Sequence, residues 1–428
     1  MCAQANDFNK ALEVGRPPNV AKLFPNSRAL LVSGKVINRA MTAKGNAMAI
    51  AASVRNSFVA RGALMAAQKA NAAIIIEIAK SEGGADAYCD VSLWNMARLV
   101  DSICNELNIT VPVAIHADHY GIKGAKDVEK ARCEIPSLFD AGITSIAIDA
   151  SHLPDEENLL AGLELYKRYV PAWSGFETEV GEIKGKDGLS TVDEALYMVR
   201  GLNAHEIYPD WIALNNGTTH GIEASDAGIQ VDLTASIHKA IEPYKVYGAQ
   251  HGTSGNSYDR LKAIVQKTRT TKANVATALQ MVSWGVKVNE FGNAELDENG
   301  NFIKLLDQGV SVEMWDQMAA FAGEKGWKKG DYKKLNRPFE NRLLALTPDI
   351  RDRMVKNVED FVYHLIAEVF NGADTAPLAI DQILKAGSYD LGPNASRIED
   401  PVEWTEEKIR ERAKHLNTDK GAKGNFDD

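Results

Sequence analysis

Along the chain, short apolar runs alternate with longer stretches in which apolar positions recur every three or four residues. The runs are "ALLVS" (29–33), "AAIIIEIA" (72–79), "VPVAIHADH" (111–119), "TSIAIDAS" (144–151), "SGFETEVG" (174–181), "DWIALNNG" (210–217), "YKVYGAQHG" (244–252) and "WGVKVNEFG" (284–292). They recur mostly at intervals of about 30 to 40 residues, the length of one strand–helix unit. Helix candidates lie between them, such as 46–70 and 97–108. Strands alternating with helices imply a parallel sheet, and such a count over about 260 residues predicts a closed (β/α)8 TIM barrel. An open doubly wound sheet would be expected to show Gly-x-Gly-x-x-Gly after its first strand. "LLVSGKVINRA" has no such motif.

Beyond about residue 303 the pattern changes. Residues 311–327 and 348–371 read as amphipathic helices, a charged helix follows at 401–416, and "NTDKGAKGNFDD" reads as a frayed tail. The chain thus divides into an N-terminal extension (1–27), the barrel (28–303), helices packing on the barrel (304–372), and a C-terminal extension and tail (373–428).

Barrel chemistry collects at the C-terminal ends of the strands. Those ends carry Ser81 in "KSEGG", Asp118-His119, Asp149, then Glu177, Glu179 and Glu182. Asn215-Asn216-Gly217 leading to His220, His251-Gly252 and Asn289-Glu290 complete the series. A strand such as "VPVAIHADHY" turns polar where it leaves the core.

Composition narrows the class. A net charge of −10 argues against nucleic-acid binding, and no apolar run approaches the roughly 20 residues needed to cross a bilayer. The four cysteines form no C-x-x-C, and the N-terminus reads as no secretory signal, so a soluble cytoplasmic protein is expected.

His119, His220 and His251 fall at three strand ends beside glycine or aspartate. Three neutral imidazoles with an open fourth position make a catalytic zinc site, able to polarise a carbonyl oxygen. Singly, each reads equally well as a satisfied core or surface histidine; His205, His238, His364 and His415 fall in helical or loop text and are read that way.

Five blocks in order, "HADH" (116–119), "IDASHLPDEENL" (148–159), "ETEVGEI" (177–183), "NGTTHG" (216–221) and "QHGTSGNS" (250–257), resemble class II, metal-dependent fructose-bisphosphate aldolases over roughly residues 28–292. The resemblance implies His119, His220 and His251 as ligands of a catalytic Zn²⁺, with Asp149 and Glu179 around an alternative metal position. It implies Asp118 as the carboxylate that handles the C4-hydroxyl proton, with His116 orienting a ligand. A mobile loop acid would move the C3 proton; counting from Glu179 lands on Asp187, where the family has glutamate, with Glu182 as the fallback. Gly221, Gly252, Thr253 and Ser254 fit an anion nest for phosphate, and Ser81 matches a family serine near the ketone. A monovalent cation could accompany that phosphate site.

After its eighth strand the family reads asparagine, any residue, aspartate, then threonine or serine. Placed on 289–293, that pattern keeps Asn289 but finds Phe291 and Gly292. The implied reaction is reversible cleavage of a phosphorylated sugar, by default fructose 1,6-bisphosphate, to dihydroxyacetone phosphate and glyceraldehyde 3-phosphate through a metal-stabilised enediolate. Alternatives are tagatose or sedoheptulose bisphosphate, a ketose monophosphate, or a non-catalytic partner subunit. Arg260, Arg351 and Arg353 are candidate cations for a second phosphate. The resemblance implies a homodimer or homotetramer.

Overall fold

The computed structural model describes residues 2–85, 87–181, 188–217, 228–290 and 292–416. Among the described residues nine strands form one sheet: β1 (Leu31–Val32), β2 (Ala49–Ser53), β3 (Ile74–Ala79), β4 (Val113–Gly121), β5 (Ser145–Asp149), β6 (Gly175–Val180), β7 (Trp211–Leu214), β8 (Tyr247–Gln250) and β9 (Thr270–Val275). Every pairing is parallel. β2 through β9 close on themselves, β2 against β9, into the expected eight-stranded TIM barrel with surrounding helices.

Two of the eight closing strands differ from those expected. The run 29–33 yields only β1, which lines up with the start of β4 (Leu31 with Val113, Val32 with Ala114) before β5 begins to pair. The first closing strand is β2, inside the stretch read as helix 46–70. Its residues, Ala-Ile-Ala-Ala-Ser, carry helix propensity, and only Asn56 marks the break: its side chain accepts from Val59 N at 3.0 Å and caps the helix Ser57–Lys69. The last closing strand is β9, "TTKANV", not 284–292. Residues between 286 and 304 instead form antiparallel bridges outside the barrel, Val286 with Lys304, Val288 with Ala294 and Leu296 with Phe302. A two-residue alternation specifies a half-buried strand without saying which sheet it joins. The tight turn of this hairpin falls at Asn299-Gly300, where Gly300 has φ 77°.

Small apolar residues, Ala49, Ala51, Ile75, Ala114, Ala213 and Ala249, share a cluster with Trp211 that is separate from the larger core between sheet and helices. The helix Pro348–His364, continued by a π-helical turn Leu365–Val369, packs on the helix Ser57–Lys69. The approach is close: a β-carbon at Gly62 would lie 2.6 Å from Val358. No helix among the described residues is long and apolar enough to cross a membrane.

Candidate active site

The site begins with an irregularity in β4. Ala117 aligns with Ile146 of β5 and Tyr120 with Ile148, so β4 carries one extra residue between them. The left-handed backbone of His119 (φ 40°) lies inside this bulge. Neighbouring side chains of a regular strand point to opposite faces. A bulge breaks that alternation and re-aims a side chain. Asp118 and His119 therefore reach the same buried cluster although they are adjacent in sequence.

His119 Nε2 meets His251 Nδ1, just beyond β8, at 2.6 Å. The far side of each ring faces a carboxylate. Glu177 Oε1 lies 2.7 Å from His251 Nε2, and Glu179 Oε1 lies 3.0 Å from His119 Nδ1, with Asp149 Oδ2 at 3.5 Å. The Glu177 carboxylate against His251 Nε2 favours the proton there and leaves Nδ1 as the lone pair. Burial, with the neighbouring His119, lowers the pKa of His251, favouring the neutral ring a metal needs. His119 Nε2, His251 Nδ1 and an Asp118 oxygen lie close enough together to hold a metal ion; so do His119, Asp149 and Glu179 as an overlapping set. Burial and the Asp149 charge push Glu179 up to about 8.

Below the imidazoles the lumen is charged. Lys272 of β9 contacts Glu177 Oε2 at 2.7 Å, His116 Nε2 at 3.1 Å, Glu77 Oε2 at 3.2 Å and Asp118 Oδ1 at 3.4 Å. Asn274 Nδ2 donates to the same Asp118 oxygen at 3.0 Å. Burial alone would raise both acids, yet Lys272 and His251 hold Glu177 down to about 2, and the surrounding imidazoles with Lys272 keep Asp118 below the usual carboxylate range. His116 is buried under the site, its Nδ1 2.8 Å from Ser145 Oγ, and burial with the nearby Lys272 lowers it to about 3.

The family model described as fructose-bisphosphate aldolase class-II matches residues 35–326. The chain belongs to the class II fructose-bisphosphate aldolase family. It is accordingly an enzyme, a carbon–carbon lyase of the aldolase type. It is 28% identical over 246 residues to a fructose-bisphosphate aldolase of Mycoplasma pneumoniae, covering 57% of this chain and 79% of that one. It is 30% identical over 227 residues to the fructose-bisphosphate aldolase of Streptococcus pneumoniae serotype 4, covering 51% and 69%. Among solved structures, the YdjI aldolase of Escherichia coli K12 superposes with a TM-score of 0.55 at 18% identity, covering 81% of this chain and 99% of that one. The fructose-bisphosphate aldolase of Campylobacter jejuni does so with 0.52 at 18%, covering 81% and 97%. At such identities these likenesses speak for the fold.

Membership sharpens one correction. Asn289 does not end a barrel strand: its side-chain oxygen accepts from Asn293 N at 3.0 Å inside the hairpin. The asparagine at the end of the eighth closing strand is Asn274, and its successors Val275-Ala276-Thr277 restore the family pattern with alanine in place of aspartate. Gly252, Thr253 and Ser254 come after β8 as expected, with Gly252 in the left-handed region (φ 59°) and Thr253 donating its hydroxyl to Asn274 O. Ser81 is exposed on the short helix Lys80–Gly83 after β3, whose Glu82 and Gly83 are buried. Glu182, Asp187, His220 and Gly221 lie outside the described residues. Of the candidate phosphate cations, Arg351 donates to Leu344 O and Arg353 to Gly309 O, both in the C-terminal part.

Sequence reasoning missed Glu77, Lys272, Asn274 and Arg55. Lys272 and Asn274 are polar residues inside β9, visible once that strand is recognised; Glu77 lies inside β3, and Arg55 just beyond β2. Arg55 and Glu82, at the ends of β2 and β3, form a buried ion pair, with Nε 2.7 Å from Oε1. Arg55 also reaches Thr277 Oγ1 and Gln280 Oε1, each at 3.3 Å.

Proposed function

We propose that this aldolase is zinc-dependent and reversibly cleaves a ketose bisphosphate, by default fructose 1,6-bisphosphate, to dihydroxyacetone phosphate and glyceraldehyde 3-phosphate. The observation that carries the reading is the convergence of His119 Nε2 and His251 Nδ1 beside Asp118, each ring backed by a buried carboxylate. His119 and His251 would hold the ion with His220 as third ligand, and Asp149 and Glu179 would serve an alternative position. An ion held there would supply a Lewis acid for the ketone oxygen. Asp118 would take the C4-hydroxyl proton. Its Oδ1 is held by Asn274 and Lys272, and its Oδ2 lies 4.0 Å from His119 Nε2. Asp187 or Glu182 would move the C3 proton from the loop after β6, and Ser81, Gly221 and residues 252–254 would take phosphate, with or without a monovalent cation.

Incubation with EDTA should abolish cleavage, zinc should restore it, and borohydride with substrate should trap no Schiff base. Activity that survives chelation and is lost to borohydride would sink the metal assignment.

Ala276, in place of the family's aspartate, favours a second reading with the same chemistry on another phosphorylated ketose, tagatose or sedoheptulose bisphosphate or a monophosphate. Comparing kcat/KM across these sugars decides between them, since a lost phosphate contact costs about 10²-fold or more. The free thiols Cys89, Cys104 and Cys133 agree with a cytoplasmic setting. The homodimer or homotetramer implied by the family belongs to the same proposal, and sedimentation would read it.

A further inference from the structure

Lys272 is fully buried in the barrel lumen, two residues before Asn274 on β9. An ammonium there is costly unless charges around it compensate, and the carboxylates of Asp118 and Glu177 do so, with a Glu77 oxygen also at 3.2 Å. Glu77, His116 and Asp118 could by themselves gather a metal ion. Lys272 Nζ lies within 3.4 Å of an atom of each, so the cation of that cluster is already supplied by the chain.

The carboxylate of Glu177 is shared. Its Oε2 takes the ammonium at 2.7 Å and its Oε1 faces His251 Nε2 at 2.7 Å. Whatever fixes Oε2 therefore fixes the oxygen that selects the His251 tautomer and turns Nδ1 toward His119. We propose that Lys272 is a positioning residue for the metal site, acting through Glu177 to hold His251 in its ligating orientation. This rests on the divalent-metal reading above.

The test is zinc affinity at fixed pH, by competition with a chromophoric chelator, for the wild-type chain, Lys272→Met, Glu177→Gln and the double variant. Each single change should weaken zinc binding about 10-fold or more. The double variant should bind no more weakly than the worse single, because both changes cut one path. Unchanged affinity in Lys272→Met, or losses that multiply in the double variant, would overturn the proposal. Should Lys272→Met fail to fold, Lys272→Met/Glu77→Gln removes a carboxylate together with the ammonium. The same weakening is expected there, and wild-type affinity would equally overturn the idea. A wild-type chain that binds no divalent ion would instead refute the metal reading on which this one stands.

Discussion

Asp90, in the loop after β3, has a buried carboxylate oxygen without a hydrogen-bond partner. Burial and the nearby Glu340 push its carboxyl up to about 7, against an ordinary value of 3.8. The folded chain thus holds this proton over a range in which the unfolded chain has released it. Stability falls as pH rises from about 4 to about 7, because the folded state then binds more protons than the unfolded state. Asp90→Asn should stabilise the chain by about 1 kcal/mol at pH 8 and leave it unchanged near pH 3. Urea unfolding at the two pH values checks this, and equal effects at both would refute it. The lumen carboxylates Asp118 and Glu177 obey the same physics with a different outcome, because Lys272 lies against both. Whether a buried acid is pushed up or held down depends on neighbours distant in sequence: Lys272 is 154 residues from Asp118.

At the scale of elements, the bulge in β4 decides the site. Its left-handed residue is a histidine, and only glycine adopts that conformation without strain. In chelator-treated protein, His119→Gly should be at least as stable as His119→Ala. That would cancel or reverse the advantage of about 0.5–1 kcal/mol that alanine has over glycine within a regular element. Denaturant midpoints measure it; alanine clearly the more stable would mean that the bulge relaxes to a regular strand. Long amphipathic helices such as Pro348–His364 were legible, as were strands with dense apolar runs such as β3 and β4. β2 and β9 were not, because alanine and lumen-facing polar residues carry no two-residue apolar signal, and Asn289 was consequently placed at a strand end belonging to Asn274.

At the scale of the whole molecule, the seam where β2 meets β9 is bound by polar contacts. Arg55 joins Glu82 after β3 to Thr277 and Gln280 after β9. Gln280 Oε1 also accepts from Asn336 at 2.9 Å, and Asn336 accepts from Asn56 at 3.0 Å, which brings the C-terminal part into the network. Removing one member of a buried pair strands the other charge. Arg55→Met should cost about 3–5 kcal/mol of unfolding free energy, and Arg55→Met/Glu82→Leu should recover most of it. Calorimetry of both variants decides; a double variant no better than the single would show that the arginine acts through packing rather than charge.

Strand–helix alternation and polar residues at strand ends depend on near neighbours, so the chain's own letters determined the barrel and the placement of Asp118, His119 and His251 at its C-terminal mouth. Which strands close the ring, how one extra residue turns two adjacent side chains inward, and which cation lies beneath them depend on contacts between distant segments. Those were decided only by tertiary structure, because a strand's register and a buried group's charge are set by the partners across from it.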